Sequence, residues 1–457
     1  MQKAAIPKGT RDFGPVVMAQ RNHITSVIKE VYESFGFAPI ETPSMENLST
    51  LTGKYGEEGD KLLFKILDSG DFLSKVSSEE LTNSSAQDLT RKISSKGLRY
   101  DLTVPFARFV VQHQNDITFP FKRYQTQPVW RADRPQKGRY REFWQCDADV
   151  IGTDSLLCEA DFLSIYHKVF TGLGLPTYVV KMNHRKILES IAETVSFGGS
   201  FTTLTTIIDK LDKIGWEKVE EELLANGLES SKAPTLKQLL QEKEFSAESI
   251  EWLNDNLVDG ENKQQGINEL QHLLSYHNAV SDEQMNITLD FSLARGLDYY
   301  TGCIFEAVIP DSGIGSVSGG GRYDNLTDVF GLSGVSGVGI SFGLDRIHDV
   351  MTKLNLFEDH KDLGHAILFC HFDESGKNHC LKLANQLRSQ GLKCSVYPDK
   401  KKIGKQFDYA NKTGYRWVIV IGDNEISEEV VQLKNLASGN QTKLTLSEVA
   451  NHIHEAS

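Results

Sequence analysis

The chain has 457 residues, of which 24% are charged and 39% are hydrophobic, and its formal net charge is −13. This length exceeds one compact core and predicts two or three domains. The acidic balance argues against a protein that coats nucleic acid without specificity, but it permits a local basic patch that grips one RNA. No apolar run approaches the roughly 20 residues of a membrane span, and the first residues lack a signal-peptide core, so we expect a cytoplasmic protein with no membrane partner.

The first part of the chain predicts a helix, an exposed segment and then strands. An apolar stripe within residues 16–35 has helical spacing. Residues 73–97 are rich in Ser, Lys and Glu and predict an exposed insertion or mobile loop. Residues 98–111 look like a strand that runs into a helix, and residues 119–152 look like two strands around a polar loop.

The second of these strands has polar side chains on one face. Alternation places Phe143, Gln145, Asp147 and Asp149 on the same side. Such a face is typical of a strand that is solvated or that lines a polar pocket, and both alternatives stay open at this point.

The loop between the two strands is rich in arginine. Five basic residues lie within positions 131–141, and a solvated hairpin tip is the simplest interpretation of such a run. Arg131, however, directly follows the strand end Val129-Trp130. A guanidinium in that position favours a polyphosphate ligand, because it matches two phosphate oxygens at once.

The remaining elements predict a helical insertion and a C-terminal domain. Helical stripes fill residues 185–279, strands return at 286–309 and 337–342, and an amphipathic helix starts at about 343. After residue 362 strands and helices alternate, which predicts a separate α/β domain with a largely parallel sheet.

Two glycine-rich segments and the scattered cysteines and histidines exclude several kinds of site. Residues 313–326 lack the Walker spacing, although Arg322 and Tyr323 could flank a ligand there, and the glycines of residues 334–347 precede a strand where a Rossmann loop would follow one. The six cysteines form no Cys-x-x-Cys pair, and the histidines have no partners at ligand spacing. We therefore expect no permanently bound metal.

Several of these segments resemble the histidyl-tRNA synthetase family of class II aminoacyl-tRNA synthetases. The likeness runs from KGTRD (8–12) into the C-terminal domain: GFAPIETP resembles motif 1, FKRYQTQPVWRADRPQKGRYREFWQCD motif 2 and GVGISFGLDRI motif 3. The stretches ARGLDYYTG and SGGGRYD resemble the two signatures that are specific to the histidine enzyme. This ordered pair of signatures is the most specific part of the resemblance.

The resemblance implies a fold and a domain organisation. The fold class is α/β, with an α+β catalytic core built on an antiparallel class II sheet with helices, a helical insertion domain and a C-terminal α/β anticodon-binding domain. The implied boundaries are 1–184 and 280–355 for the two parts of the core, 185–279 for the insertion and 363–457 for the anticodon-binding domain. A homodimer is also implied.

The resemblance further implies an ATP-dependent histidine–tRNA ligase. It would activate L-histidine with ATP, supplied with Mg²⁺, to histidyl-adenylate and pyrophosphate, and then transfer histidine to the 3′-terminal ribose of tRNA(His), releasing AMP. Arg131 and Arg295 are the implied catalytic residues at the α-phosphate, Arg139 and Arg346 bind the outer phosphates, and Phe143 stacks on adenine. The implied histidine-binding residues are Asp101, Thr103, Gln145, Asp149, Arg295, Tyr299, Tyr300 and Tyr323.

Three other functions compete with this one. A synthetase-like regulatory subunit of histidine biosynthesis is disfavoured by the C-terminal domain and by the retained arginines. A synthetase for another amino acid is disfavoured by the two histidine signatures, and an RNA scaffold leaves the polar strand face unexplained. Lys400, Lys401, Lys402 and Lys405 are a candidate RNA face, for which a solvated cluster is the alternative.

Overall fold

The computed structural model describes residues 4–53, 56–280, 285–294, 300–357 and 367–455, without the side chains of 56–58 and 454–455. The chain divides into two compact units. One contains the N-terminal residues up to Asp12 and the segment His23–Leu354, and the other contains Phe13–Asn22 and the chain from Asn355 onward.

The N-terminal half of the chain alternates short helices with strands. Its elements are α1 (Pro15–Ser34), β1 (Ala38–Pro39), β2 (Met45–Asn47), α2 (Leu48–Leu51), α3 (Gly56–Leu62), β3 (Lys65–Ile66), α4 (Ser78–Asn83), α5 (Ala86–Ile93), β4 (Lys96–Leu98), α6 (Thr103–Gln112), β5 (Phe121–Trp130), β6 (Glu142–Ile151), α7 (Leu157–Gly172) and β7 (Val179–His184).

A mainly helical stretch follows, and the chain then returns to strands. The elements are α8 (Arg185–Thr194), α9 (Phe201–Ile208), α10 (Leu211–Ile214), α11 (Trp216–Ala225), α12 (Ala233–Leu239), β8 (Lys243–Glu244), α13 (Ala247–Asn256), α14 (Glu261–Val280), β9 (Ile287–Leu289), β10 (Cys303–Val308), β11 (Ser318–Tyr323), β12 (Gly337–Gly343) and α15 (Leu344–Lys353).

Nine of these strands form one large sheet in the order β1-β5-β6-β12-β11-β10-β7-β9-β8. The pairs β1–β5 and β7–β9 are parallel, and the central strands from β5 to β7 are paired antiparallel. The largely antiparallel sheet expected from the sequence is therefore confirmed. The central strands β5, β6, β12 and β11 carry the candidate site.

One face of this sheet is covered by apolar packing from α1 and α7. The hydroxyl of the buried Tyr32 donates a hydrogen bond to the Cys146 carbonyl at 2.8 Å, and its ring lies 5.8 Å from that of Tyr124. Tyr166 and Phe170 of α7 lie edge-on to Phe342 of β12. Because this face is filled by aromatic rings, polar residues that alternate along the same strands project to the other face.

The segment 73–97 is exposed, as predicted, but it is not a loop. Helices α4 and α5 have no buried residue, and each begins at a serine cap. Ser77 and Glu80 form a reciprocal capping box. Strand β4 then pairs with β2 and β3 in a three-stranded sheet of order β2-β4-β3. The serine-to-glutamate spacing was a helix signal in the sequence that its low hydrophobicity masked.

The C-terminal part of the chain forms a five-stranded sheet with helices. Its elements are β13 (Ile367–His371), α16 (Glu374–Ser389), β14 (Cys394–Val396), α17 (Ile403–Thr413), β15 (Trp417–Ile421), α18 (Asp423–Glu428), β16 (Val431–Asn435), β17 (Gln441–Leu444) and α19 (Leu446–Glu455). In the order β14-β13-β15-β16-β17 the first three strands are parallel, and the last two add antiparallel pairs. The α/β class is confirmed, while this antiparallel edge was not foreseen.

Candidate active site

The candidate site begins with the polar face of β6. Gln145, Asp147 and Asp149 alternate along this strand, and residues two apart share a face. Their partners on the neighbouring strands are polar or lack a side chain: Gly343, Ser341 and Gly339 on β12, and Gln127, Gln125 and Arg123 on β5. The pocket-lining alternative for this face is therefore the one that the fold adopts.

A small cavity opens on this face of the sheet. Its polar lining residues are Thr103, Asp147, Asp149, Tyr300, Tyr323 and Ser341. Its volume is about 30 Å³, which is room for a single water molecule. Four of the predicted histidine-binding residues, Thr103, Asp149, Tyr300 and Tyr323, are thus brought to one place.

Glycines make room for these side chains. A Cβ on Gly339 would lie 2.0 Å from Asp149 Oδ1, and one on Gly321 would lie 2.7 Å from the Tyr300 ring. A Cβ on Gly320 would meet the Gly339 carbonyl at 2.1 Å. The glycines of β11 and β12 therefore serve close approach of the pocket residues to the backbone.

Asp149 is held by a buried cation and a phenol. Arg123, which is 0% exposed, places Nη2 at 2.7 Å from Asp149 Oδ2 in an ion pair, and Tyr323 donates its hydroxyl to Oδ1 at 2.6 Å. The Arg123 guanidinium also lies 4.1 Å from the Phe106 ring centroid. Burial raises the pKa of Asp149, while Arg123 and Tyr323 act to lower it.

Asp147 is the second buried carboxyl of the pocket. Burial raises its pKa to about 7, Asp149 adds to the rise, and Arg123 and Ser341 oppose it. Gln145 Nε2 lies 3.4 Å from Asp147 Oδ1 and donates to Ser341 Oγ at 2.7 Å. Gln145 Oε1 is buried and accepts no hydrogen bond from the residues that the structure describes.

Asp101 and Tyr300 approach this pocket from outside β6. Asp101 Oδ1 accepts a hydrogen bond at 3.1 Å from the Val104 amide, which lies in the first turn of α6 (Thr103–Gln112). Burial raises the pKa of the Tyr300 phenol, and the nearby Tyr166, Asp149 and Asp147 raise it further. The phenol therefore remains protonated and can donate a hydrogen bond.

The predicted ATP residues form two contact groups. Arg131 donates Nε to the Tyr100 carbonyl at 3.1 Å, and its guanidinium lies 5.2 Å from the Phe143 ring. Arg346 of α15 donates to the carbonyls of Gly138 at 3.1 Å and of Ser316 at 2.6 Å. Arg346 thus contacts Gly138, the residue before Arg139. The side chain of Arg139 itself is 56% exposed. Arg295 and Tyr299 lie outside the described residues.

Several other residues that contact the arginine-rich loop were not singled out from the sequence. Arg11 pairs with Asp345 of α15 and stacks on the Tyr140 ring, while Tyr140 donates to Asp349 at 2.7 Å. Asp345 also accepts the Trp144 amide at 2.7 Å. These contacts join segments far apart in the chain, and only the KGTRD stretch around Arg11 gave a signal.

Arg322 does not flank the pocket. It is on the opposite side of β11 from Tyr323, where Nε and Nη2 donate to the two carboxylate oxygens of Glu159 at 2.5 and 2.7 Å. Nη1 donates to Ser336 Oγ at 2.6 Å. Consecutive residues of a strand face opposite ways, so the suggestion that both residues flank one ligand was wrong.

Two further observations concern a membrane and a metal. Within the described ranges, no helix combines the length and the apolar character that crossing a bilayer requires. Among the same residues, no group of three His, Cys, Asp or Glu side chains is placed to hold a metal ion.

Known proteins share this architecture along the whole chain. The family model of histidyl-tRNA synthetase matches residues 9–347, and that of an anticodon binding domain matches residues 366–456. The chain belongs to the histidyl-tRNA synthetase family. The fold class, the family and the histidine–tRNA ligase activity of that family, all expected from the sequence, are thereby confirmed.

Individual relatives extend over nearly all of the chain. It is 51% identical over 453 residues to a histidine–tRNA ligase of Cytophaga hutchinsonii, covering 99% of this chain and 100% of that protein. It is 52% identical over 444 residues to that of Porphyromonas gingivalis, covering 97% of both. The crystal structure of histidyl-tRNA synthetase from Nostoc sp. PCC 7120 superposes with a TM-score of 0.84 at 29% identity over 100% of both chains.

Proposed function

We propose that this chain activates L-histidine with ATP and transfers it to tRNA(His), with the cavity on β6, β11 and β12 as the histidine pocket. The observation that carries the proposal is a set of hydrogen-bonding groups at one cavity: Asp149 and Tyr323 are buried and joined by a hydrogen bond, and the partly buried Tyr300 lines the same space. On the same strand as Asp149, the buried Gln145 Oε1 accepts no hydrogen bond within the described residues. Buried polar groups need partners, and an amino acid with polar groups at both ends supplies them.

The ammonium group of histidine is assigned to Asp101, Thr103 and Gln145. The buried Gln145 Oε1 accepts no hydrogen bond within the described residues, and an unsatisfied buried acceptor costs about 1–3 kcal/mol. An ammonium N–H would satisfy it. Asp101 supplies a negative charge at the start of α6, beside the cavity residue Thr103.

The imidazole ring is assigned to Asp149, Tyr300 and Tyr323. Tyr299 and Arg295 are further histidine-binding residues of the proposal. The ordered Arg123–Asp149–Tyr323 contacts fix the direction of the Asp149 carboxylate. A pocket of buried polar partners discriminates against analogues that leave those partners unpaired, often by about 10⁴-fold. Selection of histidine then follows from satisfied polar groups more than from cavity size.

The triphosphate is assigned to four arginines. Negative charge gathers on phosphate oxygens when the histidine carboxylate attacks the α-phosphate and pyrophosphate leaves in line, so fixed cations stabilise the transition state. Arg131 and Arg295 hold the α-phosphate, Phe143 stacks on adenine, and Arg139 and Arg346 bind the outer phosphates. Mg²⁺ arrives with ATP as part of the substrate complex.

Transfer to tRNA is assigned to the whole chain acting as a homodimer. In this proposal residues 1–184 and 280–355 form the catalytic core, residues 185–279 the helical insertion and residues 363–457 the anticodon-binding domain. The exposed lysines 400, 401, 402 and 405 supply a basic RNA-binding face.

The decisive experiment is amino-acid-dependent ATP–pyrophosphate exchange measured with each of the twenty amino acids. We expect exchange with histidine and background with the other nineteen, followed by histidine-specific charging of tRNA(His). Exchange with a different amino acid, or with none, would refute the assignment of the pocket.

A first prediction concerns Arg295. If it stabilises the transition state, Arg295→Ala should lower the rate of pyrophosphate exchange by about tenfold or more, because a charged hydrogen bond contributes about 1.5–3 kcal/mol. Most of the affinity for histidine, measured by calorimetry, should remain, because seven other residues are assigned to the amino acid. Arg134→Ala, an exposed arginine of the loop, is the matched control, and an unchanged exchange rate in Arg295→Ala would remove Arg295 from the mechanism.

A further inference from the structure

The two carboxyls on the pocket face of β6 differ in how their charge is matched. Asp149 has Arg123 at one oxygen and the Tyr323 hydroxyl at the other. Asp147 has neutral neighbours, Gln145 Nε2 and the Ser341 hydroxyl. The cation that acts on Asp147 is the same Arg123 that already pairs with Asp149. One guanidinium therefore serves two carboxyls.

Asp147 is enclosed and directed into the cavity. Its exposed fraction is 2%, and it lines the same cavity as Asp149, Tyr300 and Tyr323. A buried carboxylate with no cation of its own is costly, and burial accordingly raises the pKa of Asp147 to about 7. A ligand that brings a positive charge to this point would offset that cost.

Among the residues that the structure describes, the other titratable groups around Asp147 do not supply that charge. Asp101 and Asp149 are both negative and raise the pKa of Asp147. Tyr300 is a neutral phenol in this surrounding, and Tyr323 donates to Asp149. Tyr32, behind the strand, is neutral because burial and both aspartates raise the pKa of its phenol. The described groups facing Asp147 thus leave one negative charge to be matched.

We propose that Asp147 is a further histidine-binding residue and that it holds the imidazole ring of the substrate in its protonated, cationic form. The inference deepens the proposed function, on which it rests, because it names the form in which the pocket takes its substrate. Asp149, Tyr300 and Tyr323, the three residues assigned to the ring, all line the same cavity as Asp147. Of the three residues assigned to the ammonium group, only Thr103 lines it.

The proton that makes the ring cationic can come from the Asp147 carboxyl itself. When the Asp147 carboxyl is protonated, its O–H bond breaks as an N–H bond forms on a neutral imidazole, which leaves carboxylate and imidazolium. No proton is taken from or given to solvent. The two groups are well matched, because an imidazole ring has an ordinary pKa of roughly 6.5 and the Asp147 carboxyl has a pKa of about 7.

The first test compares histidine with β-(1,2,4-triazol-3-yl)alanine, whose ring has the same shape but is a much weaker base. Asp147→Asn keeps the size of the side chain and removes its charge. We expect kcat/KM for pyrophosphate exchange to fall by about tenfold or more with histidine, the effect of one unit of pKa shift in the bound ring, and to change much less with the triazole analogue. The KM for ATP should not change.

Asp161→Asn is the matched control, because Asp161 pairs with Lys122 at 2.8 Å and is only 25% exposed but does not line the cavity. It should leave both substrates unaffected. If Asp147→Asn lowers kcat/KM equally for histidine and the analogue, Asp147 serves packing and the inference is overturned. If wild-type protein shows no histidine-dependent exchange, the proposed function itself fails, so the two failures are distinguishable.

The second test needs no variant. Histidine labelled with ¹⁵N in the ring is bound to the wild-type protein at a pH about one unit above the ordinary imidazole pKa of roughly 6.5, and the two ring nitrogen shifts are recorded. Two nitrogens at the imidazolium position are the expected result. One protonated and one bare nitrogen would show a neutral ring and would overturn the inference.

Discussion

The hydroxyl groups of Tyr323 and Tyr300 can each be removed by a substitution with phenylalanine. The buried Tyr323 donates its hydroxyl to Asp149, whereas the partly buried Tyr300 stays protonated beside the two β6 aspartates. Because each phenol contributes a directional donor, losing one leaves its acceptor unsatisfied at a cost of about 1–3 kcal/mol. Removing either hydroxyl should therefore affect substrate recognition more than folding.

Tyr300→Phe should raise the KM for histidine far more than the KM for ATP, because only the amino acid is assigned to the phenol. The expected increase is on the order of tenfold. Tyr124→Phe is the matched control, since Tyr124 donates to Glu33 at 2.8 Å on the opposite face of the sheet. Equal increases for both substrates in Tyr300→Phe would count against the assignment.

Ionisation of Asp147 should also make the free energy of unfolding of the unliganded protein depend on pH. Asp147 has a folded-state pKa of about 7, above its ordinary 3.8, so the folded protein binds the proton more tightly and loses stability as pH rises between these values. Asp147→Asn cannot ionise. Its unfolding free energy relative to wild type should therefore increase from pH about 4 to pH about 8, as measured by urea unfolding; a constant difference would contradict the raised pKa.

The elements of the site were predictable to different degrees. Strands β5 and β6 are long enough for alternation to show, and α1 for its stripe, but strands of two or three residues such as β1 and β8 have no visible period. The pairing of Arg123 with Asp149 could not be foreseen, because it depends on how β5 aligns with β6. The alternating polar residues of β5 were a signal that went unused.

Gly339 of β12 leaves room for the Asp149 carboxylate on the neighbouring strand β6. Gly339→Ala would place a Cβ at 2.0 Å from Asp149 Oδ1, so the carboxylate must shift away from Arg123 and Tyr323. We expect a loss of stability of about 1–3 kcal/mol, as for other overpacked sites, together with weaker histidine binding. Gly315→Ala, where a Cβ meets nothing within 4 Å, should change neither quantity. Wild-type histidine affinity in Gly339→Ala would show that the pocket tolerates the displacement.

At the scale of the whole molecule, chemistry and RNA recognition are assigned to different parts of the chain. Gln406 of α17 is fully buried and donates to the carbonyls of His371 and Lys401, each at 2.8 Å, while it accepts the His371 amide. The Gln406 side chain thus links Lys401 to His371, the last residue of β13. The backbone of Lys401 is therefore held in place beside the exposed side chains of the four lysines.

Replacing lysines 400, 401, 402 and 405 together with alanine should raise the KM for tRNA(His) and reduce the salt dependence of aminoacylation, because phosphate contacts release counterions. Histidine-dependent pyrophosphate exchange should not change. The exposed Lys382, Lys393 and Lys412, replaced together, are the control set. If exchange and aminoacylation decline in parallel in the four-lysine variant, these lysines have a structural role instead.

Strand β11 has a consequence for how the chain assembles. Its sequence, Ser-Gly-Gly-Gly-Arg-Tyr, offers few side chains, and glycine-rich strands specify their alignment poorly. A slip by one position would turn Arg322 toward the Asp149 side and drive the Tyr323 phenol against Glu159. That misalignment would break the two hydrogen bonds between Glu159 and Arg322. A carboxylate on one face of the sheet therefore favours the register that places Tyr323 on the other face.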